Sequence, residues 1–227
     1  MSIVIGPEPT QLPERVFTAA GWMSLDDEYV PRVIAGEHLH AHFEAKAALA
    51  IAARTFLLRT MRDRAAFGRL TPIPSGEGFQ VFARSTNAEC IAASLQTRGV
   101  VLRYGGRMIL ANYVAGAHWS ASGAGLDPTR TERFVTYNVG RRGPSVRPSS
   151  IAFLTHPGNR GCLSQNCADF LAGQGYDRKM ILRFFYGEDV EFFELGKHST
   201  SLQEKTGGSA AVALVALAVL GLTMGRK

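Results

Sequence analysis

A chain of 227 residues with 46% hydrophobic and 19% charged side chains can build one substantial core, or two small lobes, without a covalent staple. The formal net charge of +6 favours polyanionic partners in general. Its basic residues are scattered, however, and the densest spots, Arg59–Arg64 and Arg141–Arg142, lack the interleaved aromatics of a nucleic-acid platform, so no nucleic-acid partner is expected.

Residues 1–23 are Pro-rich (Pro7, Pro9, Pro13) and read as an irregular segment without a secretory signal. "SLDDEYVPRVIAGE" has Ser24 as a plausible N-cap followed by acids, which predicts a short helix stopping near Gly36. Ala41 to about Ala66 is the strongest helix, with Phe43, Ala47, Ala50, Arg54, Leu57 and Met61 recurring at threes and fours. "GFQVFA" predicts a short strand, and "NAECIAASLQTRG" an amphipathic helix closed by Gly99. "VVLRYGGRMILANYVAG" reads as a hairpin turning at Gly105-Gly106. A loop-like stretch follows from Trp119 to Ser150, then a strand within "SIAFLTHPGNRGC". "LSQNCADFLAGQG" and "DRKMILRFFYG" predict helices, and "DVEFFEL" a last strand. Helices and strands mix without a βαβ rhythm, so the class is α+β, one domain over residues 24–195. A polar linker over 196–207 leads to a hydrophobic helix over 208–225. Its uncharged run of about 17 residues spans about 25 Å at 1.5 Å per residue, the short limit for crossing a bilayer. A C-terminal membrane anchor is expected there, with a buried core helix as the alternative.

Three cysteines do not make a disulfide framework. Cys162 and Cys167 have a C-x4-C spacing that suits zinc poorly; small buried thiols are expected, with a Cys162–Cys167 bridge as the alternative.

The chemistry concentrates in "VIAGEHLHAHFEAKAALAIAARTF". Glu37 sits among Val33, Ile34, Ala35, Leu39 and Phe43, an apolar setting that penalises the charged carboxylate and suits a general acid. Gly36 beside it would let a sugar backbone approach. His38, His40 and His42 would share one face if the segment were extended, the geometry of a zinc site; otherwise they face solvent or line a substrate groove. No second catalytic carboxylate stands out: Glu44 starts the long helix, and Asp26, Asp27 and Glu28 are first-turn charges. No nucleophile elbow or Gly-rich phosphate loop is present.

Taken in order, "EYVPRVIAGE", "AARTF", "QVF", "TRGVVLRYGGRMI", a Ser/Gly loop and "LSQNCADFLAGQGYDRKMILRFFYG" resemble the stage II sporulation protein D / LytB (amidase enhancer) family, over roughly Leu25 to Leu195. The resemblance implies a peptidoglycan lytic transglycosylase acting on glycan strands, with Glu37 as catalytic acid. It implies substrate contacts from Arg54, Gln80, His118, Ser122, Ser164 and Gln165, and no cofactor. Residue by residue, Ser164 is equally a helix cap, Arg54 suits buried carbonyls or an acid partner, and Trp119 stacks on a sugar or joins the core. The sequence departs from the family pattern at His38-Leu39, where Met-Pro is usual, and at Asn159, where a His is usual. His118 stands a few residues late, through a longer loop or with Val114 in the family's His position. "SGEGFQVF" lacks the Cys and His with which some relatives bind zinc, so no metal is expected. The expected protein is a wall-cleaving enzyme on a membrane anchor. Without a secretory signal, a bacteriophage origin with carriage in the virion is one route to the wall, and membrane insertion with the domain outside is the other. Its rival is a catalytically inactive cell-wall-binding or amidase-enhancing module.

Overall fold

The computed structural model describes residues 8–66, 72–76 and 78–196. Its organising element is α2 (Phe43–Ala66), whose central alanines are small enough to let neighbours pack closely on every side. Ala47, Ala50, Ala53 and Leu57 repeat at threes and fours and face one apolar cluster, shared with α1 (Val30–His38), α3 (Ala88–Gln96) and Met108. Ala45, Ala48, Ile51 and Ala52 face a second, formed with α4 (Gln165–Gly173) and α5 (Arg178–Tyr186). One helix therefore serves two cores.

The strands are short. β1 (Arg15–Thr18) and β2 (Gly21–Ser24) form an antiparallel hairpin, so the folded part begins earlier than the expected boundary at residue 24. β3 (Val100–Tyr104) lies between β4 (Arg107–Met108) and β9 (Glu191–Glu194), antiparallel to both. Gly105 and Gly106 turn β3 into β4 at φ of +55° and +74°, the left-handed pair that a two-residue hairpin turn demands. β5 (Asn112–Val114) runs parallel to β8 (Cys162–Ser164), and β6 (Trp119–Ser120) pairs with β7 (Gly123–Ala124). The expected α+β class holds, as five helices with several small sheets among the described residues.

Four local expectations are corrected. The first helix does not stop at Gly36: a π-helical turn over Leu25–Tyr29 runs into α1, which continues to His38. Ser24 makes no side-chain cap; its N–H donates instead to Glu28 Oε2 at 2.8 Å. "GFQVFA" forms no strand and joins no ladder. Two of its N–H groups are taken by α1, Val81 donating to Glu37 Oε1 and Ala83 to the Arg32 carbonyl, while Phe79 and Phe82 donate to the Gly76 carbonyl and Ser75 Oγ. Residues 150–161 make turns rather than a strand. Asn159 ties them together by accepting from Ser149 N–H at 2.9 Å and donating to the Ser149 carbonyl at 2.8 Å, so strand geometry begins only at Cys162. Cys90, Cys162 and Cys167 are all buried and free, so no Cys162–Cys167 bridge forms. The linker over 196–207 and the apolar helix over 208–225 lie outside the described residues, apart from Gly196. Among the described residues no helix is long and apolar enough to cross a membrane.

Candidate active site

Glu37 occupies the last turn of α1, half-buried, and both its oxygens are held. Oε1 accepts the Val81 N–H at 2.7 Å and Oε2 accepts Gln165 Nε2 at 3.0 Å. Burial pushes the carboxyl above the ordinary carboxylate range, and the two hydrogen bonds only partly oppose it. The setting behind it consists of phenols and amides. Tyr29, fully buried, donates to Gln80 Oε1 at 2.8 Å, and Gln80 Nε2 donates to the Ala53 carbonyl at 3.0 Å. The Tyr113 hydroxyl is buried as well. Burial first, and the Glu37 charge second, raise both phenols above their ordinary range, so they stay protonated.

Gly36 owes its identity to this arrangement. A Cβ there would meet the Val81 carbonyl oxygen at 2.7 Å and the Ala83 nitrogen at 3.0 Å, so the 81–83 backbone rests directly on the helix. Gly36→Ala is expected to displace that segment at a cost of about 1–3 kcal/mol, measured by urea unfolding. The same displacement loosens the Val81 hydrogen bond to Glu37. Unchanged stability would mean that the segment yields freely.

Gln165 opens α4, and Ser164 sets where the helix starts. Ser164 is fully buried, accepts the Cys167 N–H at 3.1 Å and donates to the Ala115 carbonyl at 3.2 Å. It is a helix cap and has no surface with which to touch a sugar. Gly116, at φ of +72°, passes so close that a Cβ would lie 2.1 Å from Ser164 Oγ. The loop carrying His118 and Trp119 is clamped by Glu132 and Asn166. Ala117 N–H donates to Glu132 Oε2 at 2.8 Å, and Asn166 Nδ2 to the Gly116 carbonyl at 3.0 Å.

That loop and α4 border an open groove of about 340 Å³, lined by His42, His118, Trp119, Asn166, Asp169, Phe170, Gly173 and Gln174. It lies alongside Glu37 rather than over it, since neither Glu37 nor Gln165 is among its lining residues. Trp119 packs its ring against Tyr137 and Phe170, with centroids 5.5 and 6.1 Å away. His42 reaches across to Asp169, Nδ1 to Oδ1 at 2.7 Å.

The structure thus brings Glu37 and Gln165 together and puts His118 on the neighbouring groove. Arg54 is corrected as a substrate contact: fully buried, it donates through Nε and Nη2 to Asp26 at 2.7 and 2.5 Å, and to the Val100 and Ser94 carbonyls. Gln80, 1% exposed, likewise supports from inside. Ser122 stands on the exposed β6–β7 turn, paired with Ser120 Oγ at 2.8 Å. Glu44 is locked by Arg178, whose Nε and Nη2 bind it at 2.9 and 2.7 Å, and so is unavailable as a second catalytic carboxylate. Burial pushes the Cys167 thiol up to about 12 and Cys162 higher still, which makes both poor nucleophiles. Among the described residues no group of three His, Cys, Asp or Glu side chains is placed to hold a metal ion, and His42 is turned to Asp169. Sequence reasoning missed Asp169, Tyr29 and Tyr113. The only signal for Asp169 was its helical spacing of four from Gln165.

The α+β domain thus holds, at the end of a helix and beside an open groove with aromatic and amide walls, a carboxyl whose burial favours its protonated form. Residues 16–104 match the family model SpoIID, Stage II sporulation protein. The matched stretch carries Glu37, Arg54 and Gln80 and ends before Ser164, Gln165 and Asp169. No curated protein matches the chain.

Proposed function

We propose that this protein is a peptidoglycan lytic transglycosylase. The SpoIID domain supplies the coarser part of the reading, a cell-wall-related function with peptidoglycan as the fitting substrate. The observation that carries the finer part is Glu37, a carboxyl held by the Val81 N–H and Gln165 whose burial shifts it toward the protonated form. The neighbouring Glu44 is tied up by Arg178. A hydrolytic glycosidase ordinarily uses two carboxyl groups, one of them to activate water or to attack the sugar. A transglycosylase needs one acid. Glu37 protonates the glycosidic oxygen between N-acetylmuramic acid and N-acetylglucosamine, and the C6 hydroxyl of the muramic sugar attacks its own C1, closing a 1,6-anhydro ring. Gln165 and the Val81 N–H aim the carboxyl and receive the negative charge left on it. His118 is a candidate to hydrogen-bond an acetamido group from the groove. Tethering to a membrane through residues 208–225 belongs to the same proposal.

The test is to incubate the full chain with purified peptidoglycan and with glycan strands stripped of peptides, and to look for 1,6-anhydro ends by mass spectrometry. Anhydro ends support the reading. Reducing ends would make the protein a hydrolase. Glycan retained without cleavage would make it a wall-binding module.

A further inference from the structure

We propose that His42, held by Asp169, is the base of this same active site and takes the proton that the attacking sugar hydroxyl must lose. The inference rests on the transglycosylase reading above and adds a catalytic group to it.

The two proton-transfer groups are registered on one helix. Glu37 is anchored on Gln165 and the His42 ring on Asp169. Gln165 and Asp169 are four apart on α4, so the anchors share a face and stand about one turn, ~6 Å, apart along its axis. A single Asp169 oxygen also accepts the His42 backbone N–H at 2.6 Å, so main chain and ring are pinned to the same atom. An imidazole that donates from Nδ1 to a carboxylate presents Nε2 as a bare acceptor, and the carboxylate stabilises the cation formed when Nε2 takes a proton.

The ring is also reachable. Its side chain is 60% exposed, and it lines the groove opened between α4 and the His118–Trp119 loop. Gly173 keeps one edge clear: a Cβ there would sit 3.3 Å from His42 Cε1 and 3.5 Å from Nε2. An exposed side-chain contact of this kind contributes little to folding, so a purely architectural role accounts poorly for so closely held a ring. The other titratable groups near the pair are His118 across the groove and His38 on α1. Burial is the main cause that keeps His38 neutral; Lys46 and His40 act in the same direction, and Asp169 opposes them.

The step balances without water. Glu37 gives its proton to the O4 of the leaving N-acetylglucosamine, and the C1–O4 bond breaks with its electron pair going to O4. The muramic O6 bonds to C1, and the O6 proton passes to His42 Nε2. Glu37 is left as carboxylate and His42 as imidazolium, and one proton transferred through solvent resets both.

The test uses the full chain as wild type, His42→Gln, His42→Gly and Asp169→Asn, with circular dichroism to confirm folding. His42→Gln is expected to lower kcat for anhydro-end formation by about 10²–10⁴-fold with KM nearly unchanged. His42→Gly is expected to regain activity when imidazole is added, and Asp169→Asn to lose kcat through the wrong tautomer. Wild-type rates in both His42 variants would overturn the assignment while leaving the transglycosylase reading intact. A raised KM without imidazole rescue would make His42 a substrate contact and overturn its role as base. No anhydro ends from wild type would overturn both readings together.

Discussion

Glu37→Gln is expected to reduce anhydro-end formation by about 10³-fold or more while leaving the protein at least as stable as wild type at neutral pH. The activity loss follows from removing the proton donor, whose contribution as a general acid is typically about 10²–10⁴-fold. The stability effect follows from linkage. Burial raises the folded-state pKa of Glu37 above its unfolded value, so between those two values the native state binds the extra proton. Wild-type stability therefore declines as pH rises through that window, because a charge must then be kept in a poorly solvated place. The neutral amide of the variant carries no such charge, and its carbonyl oxygen still accepts the Val81 N–H. Thermal melts of the two proteins should converge in acid and separate toward neutral pH, with the variant on top. Cleavage by wild type should weaken as pH climbs through the same folded-state pKa. A variant that melts well below wild type at neutral pH would mean that Glu37 holds the fold together as an anion and is not stored as an acid.

The second large effect lies inside the protein. Arg54→Ala is expected to cost about 3–5 kcal/mol, because it strands Asp26, itself 4% exposed, as a buried charge with no counterion. It also removes the donor to the Val100 carbonyl and one to Ser94, unlocking β3 and α3 from α2. Domains are stable by about 5–15 kcal/mol, so this is a large share of the total. Denaturant unfolding would measure it, and the double variant Asp26→Asn/Arg54→Met should recover much of the loss. An unchanged unfolding midpoint in Arg54→Ala would return Arg54 to the substrate contacts.

Much of the scaffold was legible because local chemistry dictates it. The alanine periodicity marks α2, the Gly105-Gly106 pair marks its hairpin, and Gly99 stands just past α3 at a φ of +77°. What escaped depends on approaches between distant segments. Residues 79–83 have the alternation of a strand, yet the Val81 and Ala83 N–H groups go to a helix, which no local pattern signals. The parallel pairing of Asn112 with Cys162 places Tyr113 alongside Leu163, near the start of α4, across a long intervening loop. Glu37 and Gln165 were each legible as candidates; their meeting was not. Ser164 had two readings of equal weight, and only its complete burial separates them. Asp169 gains its meaning only from His42, which arrives from another part of the chain.

The placement of α2 between two cores divides the work at the acid between two halves of the polypeptide. The half that matches SpoIID supplies the carboxyl itself, while α4, beyond residue 104, supplies the amide that bears on it. Substitutions at Gln165 on α4 therefore retune the acidity of Glu37 without altering a residue of the matched stretch. On the transglycosylase reading proposed above, the working pH becomes a trait adjustable from outside the stretch that carries the acid.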